Sequence, residues 1–318
     1  MKLTAKKTKP DKKKSGGKLQ SKQLYLMLIP ALTLMIMFNY MPMVGLVLAF
    51  KKINYRQNIF LSPWNGLDNF KFMLHSPEML EAIRNTLLYN IVFIFVGMIM
   101  AIALALLLDL VVGKKRKKLY QTVMIMPHFL SWVIISYIVY AFLSMGSGYI
   151  NNSILPAMGI DPINWYNEAK YWPVILIICY FWKDWGYSSV IYSAALSGVD
   201  TSLYEAADVD GASIWQKLIN ITLPSIKPLI VTMFILKLGS VLSTDMGLFY
   251  QVPLNQPELY STTNVLSTYT YNMMMGSSAG SMGMASATSF IQSVVGFLMV
   301  IGANKLVKLL DKESDGIM

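Results

Sequence analysis

Six stretches of this chain are too long and too apolar to fold in water as ordinary core helices. They run from Leu24 to Phe50, Thr86 to Val112, Leu119 to Leu143, Trp172 to Leu196, Ile226 to Tyr250 and Ser286 to Leu309. Each exceeds the ~20 residues needed to cross a hydrocarbon core. Inside lipid a segment must satisfy its own backbone N–H and C=O groups, so each run is expected to be a helix. The expected fold class is therefore all-α, a polytopic membrane protein with six transmembrane helices. Only 14% of the residues are charged, where a soluble domain carries about a quarter. The first run is longer than the roughly 7–15-residue core of a signal peptide and reads as an uncleaved span.

The basic residues set the orientation. Nine lysines precede Leu24, and five cations follow one another from Lys114 to Lys118. With the amino terminus in the cytoplasm, these join Lys217, Lys227, Lys305, Lys308 and Lys312 on the inside. Lys51, Lys52, Arg56, Lys71, Arg84 and Lys170 fall outside. The excess inside fixes the topology, with both termini cytoplasmic in a plasma membrane. In such a chain basic blocks mark cytoplasmic flanks, not nucleic-acid binding, and the lysines of residues 1–23 could also touch anionic lipid. Residues 1–23 are expected to be a disordered basic tail, residues 24–310 the membrane domain, and residues 311–318 a second cytoplasmic tail. The outer loops, 51–85, 144–171 and 251–285, are rich in polar and aromatic residues. They suit either a docking surface for a solute-loaded partner or plain solvated connections.

Several chemistries are not expected. The single cysteine, Cys179, excludes a disulfide framework within the chain. His75 and His128 are far apart in sequence, and no metal site or cofactor is expected. No G-x-x-x-x-G-K-[ST] run occurs, so the chain should not bind ATP through a P-loop. No H-E-x-x-H or nucleophile motif points to an enzyme. The methionines read as flexible packing residues, and Pro30, Pro42 and Pro127 as kinks within spans.

One polar segment lies between two spans, Glu205 to Pro224 within the loop 197–225. Ser202 stands three residues before Glu205 and Ser213 three before Gln216, the spacing of two capping boxes. Gly211 between them suits a helix stop, and Pro224 and Pro228 are expected to close the second helix. The prediction is an elbow of two short helices on the cytoplasmic face, with Trp215 and Leu218 packing it against the spans. Glu205 either caps its own helix or meets another subunit.

Glu205-Ala206-Ala207, then Gly211, then Ile221, Leu223 and Pro224, fall at ungapped spacings. This segment resembles the EAA loop of the membrane subunits of binding-protein-dependent ABC importers. Tyr40-Met41-Pro42-Met43 with Gly45, Gly66-Leu67-Asp68-Asn69-Phe70, and Thr263-Asn264-Val265 are similar to the sugar branch of those permeases, closest to the group serving complex oligosaccharides. The resemblance covers about residues 24 to 309. It implies a type I ABC importer permease fold and import of oligosaccharides brought by an extracellular binding protein. It also implies a second, non-identical permease chain and separate ATPase subunits that bind the ATP. By the same resemblance Glu205, Ala206, Ala207, Asp210, Gly211, Ala212 and Trp215 would couple to the ATPase.

Charges within the spans form a second constellation. Lys183 and Asp184 fall mid-span between Trp182 and Trp185, Lys237 near the middle of the fifth run, and Asp245 nearer its outer end. A charge at the bilayer centre costs ~2.5–3.5 kcal/mol, so these should face the bundle interior. They could be salt bridges that fix packing. With Tyr180 and Tyr187, the two tryptophans and these charges could instead line a path for a polar solute. Lys183 or Lys237 would then meet the carboxylate of an acidic sugar. Asp184 and Asp245 would equally suit an ion-gradient-driven carrier, the alternative to an ATP-driven importer. A membrane scaffold without transport is a third possibility.

Overall fold

The structure is a computed structural model and describes residues 17–54, 58–276 and 281–310. Arg56, the pair Ser277–Ser278, the tail up to residue 16 and the tail 311–318 lie outside the described residues. The chain divides into two compact units, Met1–Val47 and Leu48–Met318.

The first unit contains α1, Gly17–Met35, which continues through a π turn at Ile36–Tyr40 and a 3-10 stretch from Met41. The helix therefore starts inside the region expected to be a disordered tail. Pro30 sits within α1, and Pro42 lies where the winding tightens. Tyr25–Phe50 is long and apolar enough to span a bilayer.

The second unit holds the remaining helices. A short α2, Asp68–His75, precedes α3, Pro77–Asp109. α3 begins nine residues before the apolar run. Ser76 accepts the Met79 N–H at 3.3 Å, Pro77 occupies the first turn and Glu78 adds negative charge there. Each of these favours a helix start. α4, Lys114–Ile125, and α5, Trp132–Leu143, follow. They form the third predicted span, but it is not straight: the two halves bend by 93° across the break at residues 130–131. Pro127 removes a backbone donor there, and Ser131 restarts the helix by accepting the Ile134 N–H at 3.3 Å.

The loop after α5 is built around Asn151. Its amide donates to the carbonyls of Leu143, Ser144 and Ile163, and its oxygen accepts from Ile163 N and Trp165 Nε1. The loop contains the short turn α6, Leu155–Ala157, and leads into α7, Trp172–Leu196, the fourth span as predicted. The first outer loop is also built. Lys51 pairs with Trp64 in an isolated antiparallel bridge, and its Nζ donates to the Phe60 carbonyl. The Asn69 amide holds the carbonyls of Ala49 and Lys51 at 2.8 and 3.0 Å.

α8, Thr201–Val209, and α9, Ile214–Lys217, form the elbow. A π turn at Leu218–Thr222 joins α9 to α10, Leu223–Gly239. The prolines do not stop the helix, so the fifth span starts at Ile214 and ends at Gly239. The π turn relaxes the ladder ahead of Pro224. Hydroxyls of Thr222, Ser225 and Thr232 bond to the carbonyls of Lys217, Ile221 and Pro228. The chain then runs irregularly through residues 240–259 to α11, Tyr260–Thr263, and α12, Leu266–Met275. The last span is α13, Ser281–Leu310.

Packing follows small residues and aromatics. α3 and α7 meet through Tyr89, Phe93, Leu176, Cys179 and Phe181, all buried in one cluster with Phe249 and Val252. Near the elbow, Ala101 and Ala105 of α3 face Tyr192 and Leu196 of α7. α10 crosses α13 at two glycines: a Cβ on Gly296 would lie 2.4 Å from the Gly239 carbonyl oxygen. Close backbone approach over small residues is the usual basis of helix association in lipid.

Candidate functional site

Two places concentrate the residues expected to act. The first is the elbow. Asp200 is the N-cap of α8, accepting the Ser202 N–H at 3.0 Å. That bond holds the Asp200 carboxyl below the usual carboxylate range. The predicted Ser202 cap is thus two residues late, and Glu205, the fifth residue of α8, caps nothing. Its carboxylate makes no hydrogen bond or ion pair among the described residues and is exposed. The helix stops as Gly211 requires. Gly211 has φ +73°, its N–H bonds to the Asp208 carbonyl, and the Ala212 N–H reaches back to Ala207. These two bonds make a Schellman motif. The second cap is as predicted, with Ser213 and Gln216 bonding reciprocally.

Two links brace the elbow. Lys217 pairs with Asp208 across the turn, and Tyr204 and Thr222 share a hydroxyl contact of 3.0 Å. Tyr204, Ile214 and Leu218 line a cavity of about 170 Å³ with Leu106 and Leu110 at the end of α3. Leu218 therefore packs inward as expected, but Trp215 does not. Trp215 is 72% exposed and Val209 88% exposed. Ile219, a turn beyond Trp215, is exposed as well. The result is a braced helical corner presenting apolar side chains, a free carboxylate and the small Ala206 surface.

The second place is the break between α4 and α5. Lys183 of α7 points into it, and Nζ donates to the His128 carbonyl at 2.6 Å and to that of Leu130. Its ammonium also lies 5.4 Å from the centre of the Trp132 ring. Trp132 Nε1 donates to Asp245 Oδ2 at 2.6 Å, while Asp245 Oδ1 accepts the Gly247 N–H at 2.8 Å. Tyr187 stacks on His128 at 4.0 Å. Lys183, Tyr187 and Asp245 thus meet at one cluster, through Trp132 and His128. Sequence reasoning missed both linkers, because an aromatic next to a predicted kink carries no signal of its own. It also missed Gly247, where a Cβ would lie 2.1 Å from Trp132 Cδ1.

The other predicted lining residues are placed elsewhere. Tyr180 stacks on Phe93 at 3.8 Å, and Asp184 accepts from the Ser188 hydroxyl at 2.7 Å. Trp185 stacks on Phe181, and Trp182 borders an apolar groove beside α4. Lys237 is in the last turn of α10, not mid-span, and has no ion-pair partner among the described residues. Asp245 lies beyond the end of α10, in the irregular segment, rather than within a helical span.

That segment has its own supports. Asn90 donates to the carbonyls of Val241 and Ser243 at 2.8 and 3.1 Å, and Gln292 of α13 to that of Leu242. Asn85 holds the carbonyls of Ser261 and Asn264, and the Thr86 hydroxyl accepts the Leu266 N–H. Irregular backbone at membrane depth is tolerated where protein supplies such partners.

Comparison with known proteins agrees with this architecture. Residues 93–312 match the family described as binding-protein-dependent transport system inner membrane component. Protein LplB of Bacillus subtilis (strain 168) is 34% identical over 92% of this chain and 91% of its own length. The polygalacturonan/rhamnogalacturonan transport system permease protein YteP of the same organism is 33% identical over 93% of this chain and 90% of its own. In three dimensions the chain is similar to one from a bacterial ABC transporter involved in the import of the acidic polysaccharide alginate. The TM-score is 0.81 and the identity 33%, over 92% of this chain and 97% of that one. A second structure of an alginate transporter, in complex with an alginate pentasaccharide-bound periplasmic protein, gives 0.81 at 32% identity, over 95% and 100% of the two chains. With its spans, its elbow and its relatives in agreement, the chain belongs to the binding-protein-dependent transport system inner membrane components, as an ABC importer permease of type I fold.

Proposed function

We propose that the cargo is an oligosaccharide delivered by an extracellular binding protein, and that the elbow Glu205–Trp215 is the joint to a separate ATPase subunit. The observation that carries the second part is the exposed, unpartnered Glu205 carboxylate on one arm and the exposed Trp215 on the other arm of a corner locked by Gly211. A free carboxylate and an aromatic anchor on a rigid helix are what an inter-subunit groove can grip. Ala206, Ala207, Asp210 and Ala212 complete that surface. A second permease chain would complete the path, and ATP would be bound and hydrolysed by the partner ATPases, with this chain doing no chemistry of its own.

The sugar class is supported by the relatives, which include transport systems for polygalacturonan and alginate. Aromatic faces and polar groups near the α4–α5 break suit sugar rings, and Tyr187, Lys183 and Asp245 are the lining residues we favour. Lys183 is engaged with two carbonyls, which leaves Lys237 as the readier partner for an acidic sugar. Membership of the family sets aside the ion-gradient carrier and the silent scaffold. Both termini are assigned to the cytoplasm on the distribution of Lys and Arg.

The test is co-purification with the ATPase, with the partner permease present. Wild type is compared with a Glu205→Ala, Gly211→Pro double variant. The expected result is that the wild type holds the ATPase and the variant loses it while remaining membrane-inserted. Retention by the variant would overturn the elbow as the joint.

A further inference from the structure

Helix α4 joins two unlike halves on one rod. Its first turns carry Lys114, Lys115, Arg116, Lys117 and Lys118. Lys117 is occupied, its Nζ 2.8 Å from Asp109 of α3. The other four are exposed and have no ion-pair partner among the described residues. The far half borders an open groove of about 510 Å³ walled by Leu104, Val123, Met124, Pro127, Ile178 and Trp182. Every one of those side chains is apolar or aromatic. The groove's floor is a tight crossing, since a Cβ on Gly186 would lie 1.8 Å from the Met124 carbonyl oxygen.

The helical register connects the halves. Arg116 and Val123 are seven residues apart, two turns on the same stripe, and Pro127 continues it. At 1.5 Å per residue Val123 lies about 10 Å beyond Arg116 along the axis. The guanidinium of Arg116 folds back over Gly113, where a Cβ would be 3.6 Å from Nε. The charge thus lies toward the start of α4, on the same stripe whose far half borders the groove.

We propose that this face binds one anionic phospholipid, with the phosphate on Arg116 and an acyl chain in the groove between α4 and α7. Arginine presents a planar fork that matches phosphate, and clustered cations at the end of a span attract anionic headgroups. A sugar would find no hydroxyl partners among those walls. An inorganic phosphate would use the cations and leave the groove untouched. The headgroup and the chain need only share one leaflet, which a single helix guarantees.

The experiment uses the assembled importer in nanodiscs of phosphatidylcholine containing a minor fraction of phosphatidylglycerol. Lipid retained after release is counted by native mass spectrometry. Quenching by brominated-acyl phosphatidylglycerol is read as the difference between wild type and Trp182→Phe. Wild type should retain one phosphatidylglycerol above background and show Trp182 quenching. Arg116→Gln should weaken retention about fivefold, the factor that one basic residue near an anionic surface is worth. Val123→Phe, which fills the groove with the charges intact and adds no indole, should abolish the quenching. Equal quenching by brominated phosphatidylcholine would overturn the proposal, as would retention unchanged in both variants. Absence of quenching in the assembled importer would mean that a second chain covers the groove, and would overturn it too. ATPase retention in the same preparations shows that the variants fold, and a failed lipid site leaves the docking result standing.

Discussion

Two apolar runs of this protein are interrupted within the membrane domain, and they are repaired differently. The third run breaks between α4 and α5, and its loose carbonyls at His128 and Leu130 are held by one cation, Lys183. The fifth run loses its helix at Gly239, and the carbonyls of Val241, Leu242 and Ser243 are held by neutral amides, Asn90 and Gln292. A neutral amide repairs backbone without bringing in net charge. A lysine does the same work and also sets a positive charge at the break, with Asp245 reached through Trp132. The amide repair is purely structural, whereas the lysine repair creates a polarised spot at the break.

If that contrast holds, substitutions should separate the two breaks. Lys183→Met strips two charge-assisted bonds, worth ~1.5–3 kcal/mol each before the relief of the buried charge is counted. A net loss of about 3 kcal/mol is expected, seen as the largest drop in the melting temperature of the purified complex, together with loss of uptake. Gly247→Ala pushes a Cβ into Trp132 and should cost about 2 kcal/mol. Its effect should fall on uptake more than on expression, because it separates Trp132 from Asp245. Asn90→Leu leaves two carbonyls without their neutral donor, at about 2 kcal/mol. It should lower the melting temperature without altering solute preference, and a change in preference would erase the distinction between the breaks. Gln292→Leu removes one such bond and should cost about 1 kcal/mol in the same assay. Lys237→Met should leave the melting temperature unchanged and shift uptake from acidic toward neutral oligosaccharides. Unchanged selectivity would remove Lys237 from the path.

Much of this architecture is legible in the residues. α7 has the bounds that hydropathy predicts, and Gly211 with Ser213 and Gln216 specifies the corner of the elbow, because caps and left-handed turns are local. The break at Pro127 was legible as a kink, though not as a 93° bend, since the bend depends on what Lys183 supplies from another helix. The end of α10 at Gly239 was illegible for a similar reason. Hydropathy runs on to Tyr250, and only the asparagines of α3 and the crossing at Gly296 reveal that the backbone there need not be helical. Pro224 and Pro228 misled because a π turn upstream accommodates them, and a period-3.6 reading has no place for such a turn. Trp215 misled because an exposed tryptophan reads as core until a face is found for it.

The helix from Ile214 to Gly239 contains both the second arm of the elbow and the whole fifth span, 26 residues with no intervening loop. At 1.5 Å per residue it is a shaft of about 39 Å. One end carries the exposed Trp215 and is tied to α8 by the Lys217–Asp208 pair, and the other end bears on α13 through Gly239 and Gly296. Nothing along it can absorb a displacement by bending at a loop. A tilt imposed at the elbow is therefore carried along one helical rod, through the π turn at Leu218–Thr222 and past Pro228, to Lys237 and to the start of the irregular segment that carries Asp245.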